Sequence, residues 1–417
     1  MKRFLLLALV VTGLSQATKA QYQRMVLLEE FTQASCGPCA SQNPGFNAIL
    51  QANEDKAIIL KFQVWWPGFD PMYLQNQPDV DARVSYYGVT GVPHATMDGV
   101  NVVNDCGYYE GAPACVSGAE ITTEYGVTSP FEINVTHSFS PDYSTINIHV
   151  DVTAGSDMTG SLKLRCAVAE KNINFDTPPG TNGETEFLGV MKKMLPDASG
   201  TSTGDFYGGE TKSYDFSWDL ANIYDMNQIE VVAWMQNDGT KGIMQAAVSD
   251  PIGGLPAIDY ASTDVSSIFC TNSFDPVVSV ANNSDDALTA IDLSYSVDGG
   301  AASVYNWTGS IAAHTTGNIN LPTVTVATGG THTLGVTLMP VGGTVDINMV
   351  NNSIASNISV LDATQVSVEE GFQGADYPPA NWAVDNLSTG DGWVKGTGNV
   401  GGYGESTISS KANFYYI

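Results

Sequence analysis

Met25-Val-Leu-Leu-Glu-Glu-Phe31 runs into Thr32-Gln-Ala-Ser-Cys36-Gly-Pro-Cys39, and residues 40–53 follow. The first run is apolar and strand-like; the last opens as a helix at the cysteines. This order has a chemical use. The Cys36 sulfur sits at a helix N-terminus, where unpaired N–H groups and the helix dipole stabilise a thiolate. Cys39 is about one turn away and can close the ring, and Pro38 suits a first turn that needs no N–H there. Cys36 is the candidate attacking thiol and Cys39 the resolving one. The same spacing also serves a structural disulfide or half a zinc site. Zinc needs two more ligands, and the other close pair, Cys106 and Cys115, has no His nearby.

Upstream lies an export signal. Met1-Lys-Arg3 is basic, residues 4–14 are apolar but too short to span a bilayer, and Thr18-Lys-Ala20 puts small residues before a cut at Gln21. No Cys sits at the cut for acylation. Residues 1–20 are read as a signal peptide, which places the protein in the periplasm, on the outer-membrane surface or outside the cell. No later run is long and apolar enough for a membrane-spanning helix.

Across all 417 residues, Lys and Arg number 16 and Asp and Glu 44, a net charge of −28. Three bases lie in the signal segment, so the mature chain keeps 13 bases against 44 acids, a net of −31. Such a field repels nucleic acid and anionic lipid. Charged residues make up only 14% of the chain and hydrophobic ones 43%, with 42 Gly. That describes a folded, Gly-rich, β-rich protein rather than an acidic tail.

The chain reads as four blocks after the signal: 21–124, 125–258, 259–364 and 365–417. The first mixes strand-like and helix-like runs. The second alternates, as in Phe131-Glu-Ile-Asn-Val-Thr-His137. Pro251-Ile-Gly-Gly-Leu-Pro256 is a linker. The third has short strands at near-regular spacing with turns at Asp298-Gly-Gly300 and Gly329-Gly330, as in a β-sandwich. The fourth stops in Phe414-Tyr-Tyr-Ile417, which suggests a longer parent chain.

The segment Glu30-Phe-Thr-Gln-Ala-Ser-Cys-Gly-Pro-Cys39 resembles the active-site segment of thioredoxins. Val89-Thr-Gly-Val-Pro-His-Ala-Thr-Met97 resembles their cis-proline segment, and Met97-Asp-Gly-Val100 the hairpin turn after it. The resemblance implies that Pro93 faces the dithiol and helps hold the peptide of a mixed disulfide. It implies that Glu30 is the buried carboxylate that exchanges a proton with the resolving thiol. Ser35 stands where a tryptophan is usual, and Glu30 where an aspartate is usual. Trp65-Trp-Pro-Gly-Phe69 could supply the missing aromatic surface, and His94 adjoins Pro93.

Over residues 21–258, Val26-Leu-Leu-Glu-Glu-Phe-Thr32, Asp70-Pro-Met-Tyr73, Met191-Lys-Lys-Met-Leu-Pro-Asp197 and Glu230-Val-Val-Ala-Trp-Met-Gln236 resemble secreted or outer-membrane proteins of the 28-kDa outer-membrane-protein family. That resemblance implies a thioredoxin-like domain paired with a β-sandwich. Leu293-Ser-Tyr-Ser-Val-Asp-Gly-Gly300 and Tyr305-Asn-Trp-Thr308 resemble immunoglobulin-like modules, with Trp307 expected in the core. Residues 369–393 resemble the opening of an adhesin-type jelly roll, whose acidic loops can hold Ca²⁺, and Asp385 and Asp391 permit it. Chains of this kind resemble cargo of the type IX secretion route.

The expected fold class is therefore multidomain α/β plus all-β, a thioredoxin-like domain followed by β-sandwich domains and a partial jelly roll. Cys106 and Cys115 are read as a structural disulfide stapling a loop. Cys166, in phase with Leu162 and Leu164, is read as a core thiol. No resident cofactor and no metal ligand set is read from the rest. The first functional expectation is an exported thiol–disulfide oxidoreductase acting on protein thiols and disulfides through Cys36, Cys39, Glu30 and Pro93. The alternative is a cell-surface adhesin, structural or filament protein, with surface or extracellular partners, in which that segment is a scaffold.

Overall fold

A computed structural model describes residues 21–102, 106–253, 255, 257–265, 268–342, 344–360, 394–397 and 408–411. The chain divides into two compact units, Met1–Gly253 and Gly254–Ile417. In the first unit, β1 (Val26–Thr32), α1 (Gly37–Gln51), β2 (Ala57–Gln63), α2 (Pro71–Gln75), α3 (Gln77–Tyr87), β3 (His94–Met97), β4 (Val100–Asn101) and α4 (Gly118–Tyr125) come first. Then come β5 (Phe131–Phe139), β6 (Thr145–Ala154), β7 (Leu162–Asn174), β8 (Glu186–Leu195), β9 (Thr201–Ser202), β10 (Thr211–Asp219), β11 (Ile229–Asn237) and β12 (Ile243–Ser249).

Every residue of β1 is buried. A strand covered on both faces reads as a continuous apolar run, and Val26-Leu-Leu-Glu-Glu-Phe-Thr32 does so apart from two glutamates. β1 pairs in parallel with β2 and antiparallel with β3. Met97 and Val100 close a two-residue hairpin turn whose Asp98 and Gly99 both have positive φ, 46° and 82°. A turn of this hand matches the twist of its strands and favours Asp-Gly. The Asp98 carboxylate also accepts the Leu27 N–H at 2.9 Å and pairs with Arg24 at 3.0 Å, which pins the hairpin to β1. The Cys36 side chain caps α1, a Ser117–Glu120 capping box opens α4, and Gly88 ends α3 in the left-handed conformation.

These strands do not form a sheet of their own. One nine-stranded sheet runs β12-β11-β7-β8-β2-β1-β3-β4, with β9 on the side of β7. The join is parallel, at Val190 of β8 and Lys61 of β2. β10, β6 and β5 make a separate three-stranded sheet. One apolar cluster holds Leu27, Phe31, Leu60 and Phe62 together with Ala167, Met191, Val232 and Trp234. A second, with Leu28, Phe46, Leu50, Ala95 and Ile121, covers the other face of β1 under α1 and α4.

This corrects the expected fold class. The described residues are mostly β, and there is no self-contained α/β thioredoxin-like domain followed by separate sandwiches. The reason is physical. The face of β1 and β2 that carries Leu27, Phe31, Leu60 and Phe62 is closed by strands from 162–249, so the helix-bearing and strand-rich blocks share one core.

In the second unit, Ile268–Phe269, Ser353–Val360, Gly330–Met339, Leu288–Val297 and Ser303–Ile311 form a five-stranded sheet in that order. Tyr260–Val265, Val277–Asn282 and Thr315–Asn320 form a three-stranded one. Val278, Val280, Ile319, Leu293, Leu334 and Val336 of the two sheets share one core. Trp307, expected inside, is only partly buried, because Ser303–Ile311 is an edge strand. Val394–Thr397 pairs with Ile408–Lys411. The signal segment 1–20 and the jelly-roll residues 369–393, with Asp385 and Asp391, lie outside the described residues.

A shared core makes the first block dependent on the second. Residues 21–124 produced alone should expose the Leu27, Phe31, Leu60 and Phe62 face, bind a hydrophobic dye and lack a cooperative thermal transition. Residues 21–253 should show one such transition. A sharp transition from 21–124 alone would contradict the shared core.

Candidate functional site

α1 begins where β1 leaves the sheet. Cys36 is its N-cap, Pro38 lies in its first turn, and Cys39 is buried at the third helical position. The two sulfurs form a disulfide with a Cα–Cα separation of 5.2 Å. The Cys39 N–H points at the Cys36 sulfur, 3.1 Å away. A helix-start N–H in this place stabilises negative charge on that sulfur once it is reduced. The Val92 carbonyl oxygen lies 3.7 Å from the same sulfur, and the Val92–Pro93 peptide is cis. The Cys36–Cys39 disulfide thus lies beside the Val92–Pro93 peptide.

Glu30 lies beneath, on β1, fully buried. Burial raises its carboxyl above the ordinary glutamate range; Lys61 opposes that shift and Glu184 adds to it. The Lys61 ammonium sits 2.6 Å from the Glu30 carboxylate and also donates to the Asn47 side chain at 2.7 Å. The carboxylate is therefore ion-paired rather than held in an apolar pocket. Lys61 was not singled out in the sequence. Its signal was there, as the one charge inside Ala57-Ile-Ile-Leu-Lys-Phe-Gln63.

Two loops flank this region. The loop between β7 and β8 lies along residues 33–36. Asn182 donates from its side chain to the Gln33 and Cys36 carbonyls, each at 3.2 Å, and from its backbone to Ala34. The Thr181 N–H donates to the Ser35 hydroxyl at 3.0 Å. Gly180 approaches so closely that a Cβ there would lie 2.2 Å from the Ala34 carbonyl oxygen. Glu184 accepts from the Asn43 and Asn182 side chains, and burial raises its carboxyl. The second loop is closed by the Cys106–Cys115 disulfide and carries Tyr109, whose hydroxyl donates to the Pro93 carbonyl. Cys36 is 1% exposed and Cys39 0%. Gly37 and Pro38 above them are exposed. No sequence signal marked Thr181, Asn182 or Tyr109, because their contacts run largely to backbone atoms.

The remaining candidates sit elsewhere. His94 bonds Asn101 at 3.0 Å, and burial lowers its pKa. Cys166 is free and fully buried, and burial pushes its thiol up to about 12; Cys270 is free and exposed. Beside Ser35, whose hydroxyl donates to the Phe69 carbonyl, Trp65, Phe69 and Leu74 are exposed. Among the described residues no group of three or more His, Cys, Asp or Glu side chains could hold a metal ion.

Residues 80–250 match the family described as outer membrane protein Omp28. The matched segment runs from α3 to the end of β12 and contains Pro93, Tyr109 and the covering loop, but not Cys36 and Cys39. The protein is exported, to the periplasm, the outer-membrane surface or the exterior. Among the described residues no helix is long and apolar enough to cross a membrane. No curated protein matches the chain. Among solved structures, HBP35 of Porphyromonas gingivalis is similar at 14% identity, with 81% of this chain and 99% of that one covered and a TM-score of 0.46. A domain of the outer membrane lipoprotein Omp28 from Porphyromonas gingivalis is similar at 10% identity, covering 30% of this chain and 88% of that one, TM-score 0.21. The CARDB domain of the PF1109 protein from Pyrococcus furiosus is similar at 18% identity, covering 25% and 89%, TM-score 0.21.

Two outcomes follow from the geometry. Lys61→Met strands a buried carboxylate and should cost about 3–5 kcal/mol at pH 7. The folded chain then holds the Glu30 proton more tightly than the unfolded chain does. Protonation therefore favours folding, and the deficit should shrink as pH falls toward the ordinary glutamate value and grow as pH rises above it. Denaturation at pH 4.5 and pH 7.5 reads this, and a pH-independent deficit contradicts the pairing. Asn182→Ala removes the loop's side-chain hold. It should speed reduction of Cys36–Cys39 by dithiothreitol about tenfold, read as alkylated thiols by mass. Unchanged kinetics would mean that the loop does not guard the bond.

Proposed function

We propose that this is a cell-surface structural or adhesive protein in which the Cys36–Cys39 disulfide braces a contact surface. The observation that carries the reading is the enclosure of both sulfurs, 1% and 0% exposed, beside an apolar patch that is open. An attacking thiol has to be reached by its substrate, whereas a staple does not. Trp65 and Phe69 are 46% and 60% exposed, on the loop that Gln33 and Ser35 hold through the Gly68 and Phe69 carbonyls, and Leu74 of α2 just after it is 56% exposed. Exposed apolar side chains on and just after a braced loop suit contact with another protein. The outer-membrane family match and the β-rich second unit support the same reading. The immunoglobulin-like character of residues 259–364 belongs to it, as an expectation for a surface module.

One observation favours a second reading. The Cys36 sulfur faces both the Cys39 N–H and the Pro93 segment. In that reading the loop at 180–184 opens and the reduced Cys36 thiolate attacks a partner disulfide. A mixed disulfide forms and the partner's thiolate leaves. Cys39 then attacks Cys36, restoring the internal disulfide and releasing the partner's second thiolate.

Insulin reduction in dithiothreitol separates the two. Under the structural reading, wild type and the Cys36→Ser/Cys39→Ser variant should run at the same background rate. Retention on immobilised collagen, fibronectin or mucin should fall with Phe69→Ser and survive the cysteine changes. A wild-type rate well above background that is lost in the cysteine variant would establish the second reading instead.

A further inference from the structure

Eight carboxylates are buried among the described residues: Glu29, Glu30, Asp70, Asp79, Asp98, Glu170, Glu230 and Asp346. Seven have partners. Glu29 has Arg83, Glu30 has Lys61, Asp79 has Lys193, Asp98 has Arg24 and Glu170 has Lys192. Asp70 accepts the N–H groups of Ala34, Met72 and Tyr73, and Asp346 those of Tyr260 and Asn348. Glu230 is 6% exposed and lines an open cavity; among the described residues no ion pair or hydrogen bond to its carboxylate is seen, and the nearby cation that acts on it is Lys171. A buried carboxylate left this way is costly unless something else meets it.

Glu230 lines a cavity of about 480 Å³. Leu50, Ile58, Leu188 and Val248 form apolar parts of its wall. Asp250, which also lines it, follows β12 directly. The register Val231↔Ser249 and Val232↔Val248 puts Asp250 across from Glu230 on the same face. Like charges directly opposite in a sheet repel. On the other side, the pairing Glu230↔Ala169 places Lys171 on the same face one diagonal step away; Lys171 also lines the cavity and its charge pulls on Glu230, with no direct ion pair to either carboxylate among the described residues. Glu54, beyond the end of α1, adds a further acid to the wall. Two facing carboxylates under an aliphatic wall complement a compact cation on an apolar stem. A hard divalent cation would want six or more oxygens, and no group of three acidic or imidazole side chains is placed to hold one.

We propose that this cavity binds a primary alkylammonium group, with the ammonium between Glu230 and Asp250 and its methylene stem along Leu50, Ile58, Leu188 and Val248. The ligand is a free aliphatic diamine or the lysine side chain of a polypeptide, which present the same chemistry. The site is separate from the dithiol and stands whichever reading of that dithiol holds. Burial first, then the neighbouring Asp250, push the Glu230 carboxyl up to about 7 against the pull of Lys171. Ammonium binding near neutral pH therefore expels a fraction of a proton.

The test is calorimetry on the full chain at pH 7, in phosphate and in HEPES, with 1,5-diaminopentane, Nα-acetyl-lysine methylamide and 1-pentanol as probes. The expected result is saturable one-to-one binding of at least one amine, none of pentanol, and a binding heat that differs between buffers through the released proton. The diamine alone binding identifies a free amine as ligand; the lysine derivative alone identifies a polypeptide. Glu230→Gln and Asp250→Asn should each weaken the amine at least tenfold, with circular dichroism unchanged. Leu188→Phe, which fills the cavity and keeps both acids, should also weaken it. Absence of saturable amine binding, or equal affinity in wild type and a folded Glu230→Gln protein, would overturn the proposal.

Discussion

A strand buried on both faces that carries two adjacent glutamates must find a cation for each, on opposite sides of the sheet. β1 is that strand. Glu29 points into the core cluster of Phe31 and Trp234 and meets Arg83 of α3, with Nη2 to Oε1 at 2.5 Å, while Tyr87 donates to its other oxygen. Glu30 points the other way and meets Lys61 of β2 under α1. Leaving either charge alone would cost about 3–5 kcal/mol, a large share of a net stability of about 5–15 kcal/mol. Because strand side chains alternate, a one-residue slip of β1 would aim each glutamate at the wrong cation. The two pairs thus hold the register of β1 against β2 and the seat of α3 together. Arg83 also lies over the rings of Tyr86 and Tyr87 at 4.7 and 4.8 Å, so its charge is used along its flat faces as well as at its donors.

That constraint explains why the helix-bearing block is not a domain of its own. Arg83 and Glu29 can be buried only if something closes the sheet face they share, and α3 covers only part of it. Trp234 and Val232 of β11 and Ala167 of β7 close the rest. The individual strands were legible from their alternation, and the capped helix from Cys36 and Pro38. The merged sheet was not. Its join is a single parallel step between Val190 and Lys61, far apart in the sequence, and parallel pairing leaves no turn residue to read. Trp307 was misjudged for a related reason. An aromatic in an alternating run looks the same on an edge strand as on a central one.

At the dithiol the division is similar. Cysteine spacing was legible because the chemistry needs particular residue types at short range; Pro93 was legible only through the resemblance of Val89–Met97 to a cis-proline segment. The covering loop was not, since Gly180, Thr181 and Asn182 act through backbone approach and amide donors and show no periodicity. The loop changes what the site can do. At this helix N-terminus the two cysteines are enclosed beside the loop's hydrogen bonds, while Gly37 and Pro38 are exposed.

The acidic balance of the whole chain bears on the interior as well as the surface. Residues 21–417 hold 13 bases, and four of them, Lys61, Arg83, Arg165 and Lys192, are buried with carboxylate partners. A chain short of cations that still commits four to its interior is using them where an unpaired acid would cost most. Against that pattern Glu230 stands out. It is buried, and Lys171 on the same face lines its cavity and acts on it only across a distance, with no direct ion pair among the described residues. A buried acid that its nearest lysine does not pair directly, facing a second acid across a cavity with apolar walls, suits a matching charge from outside the chain.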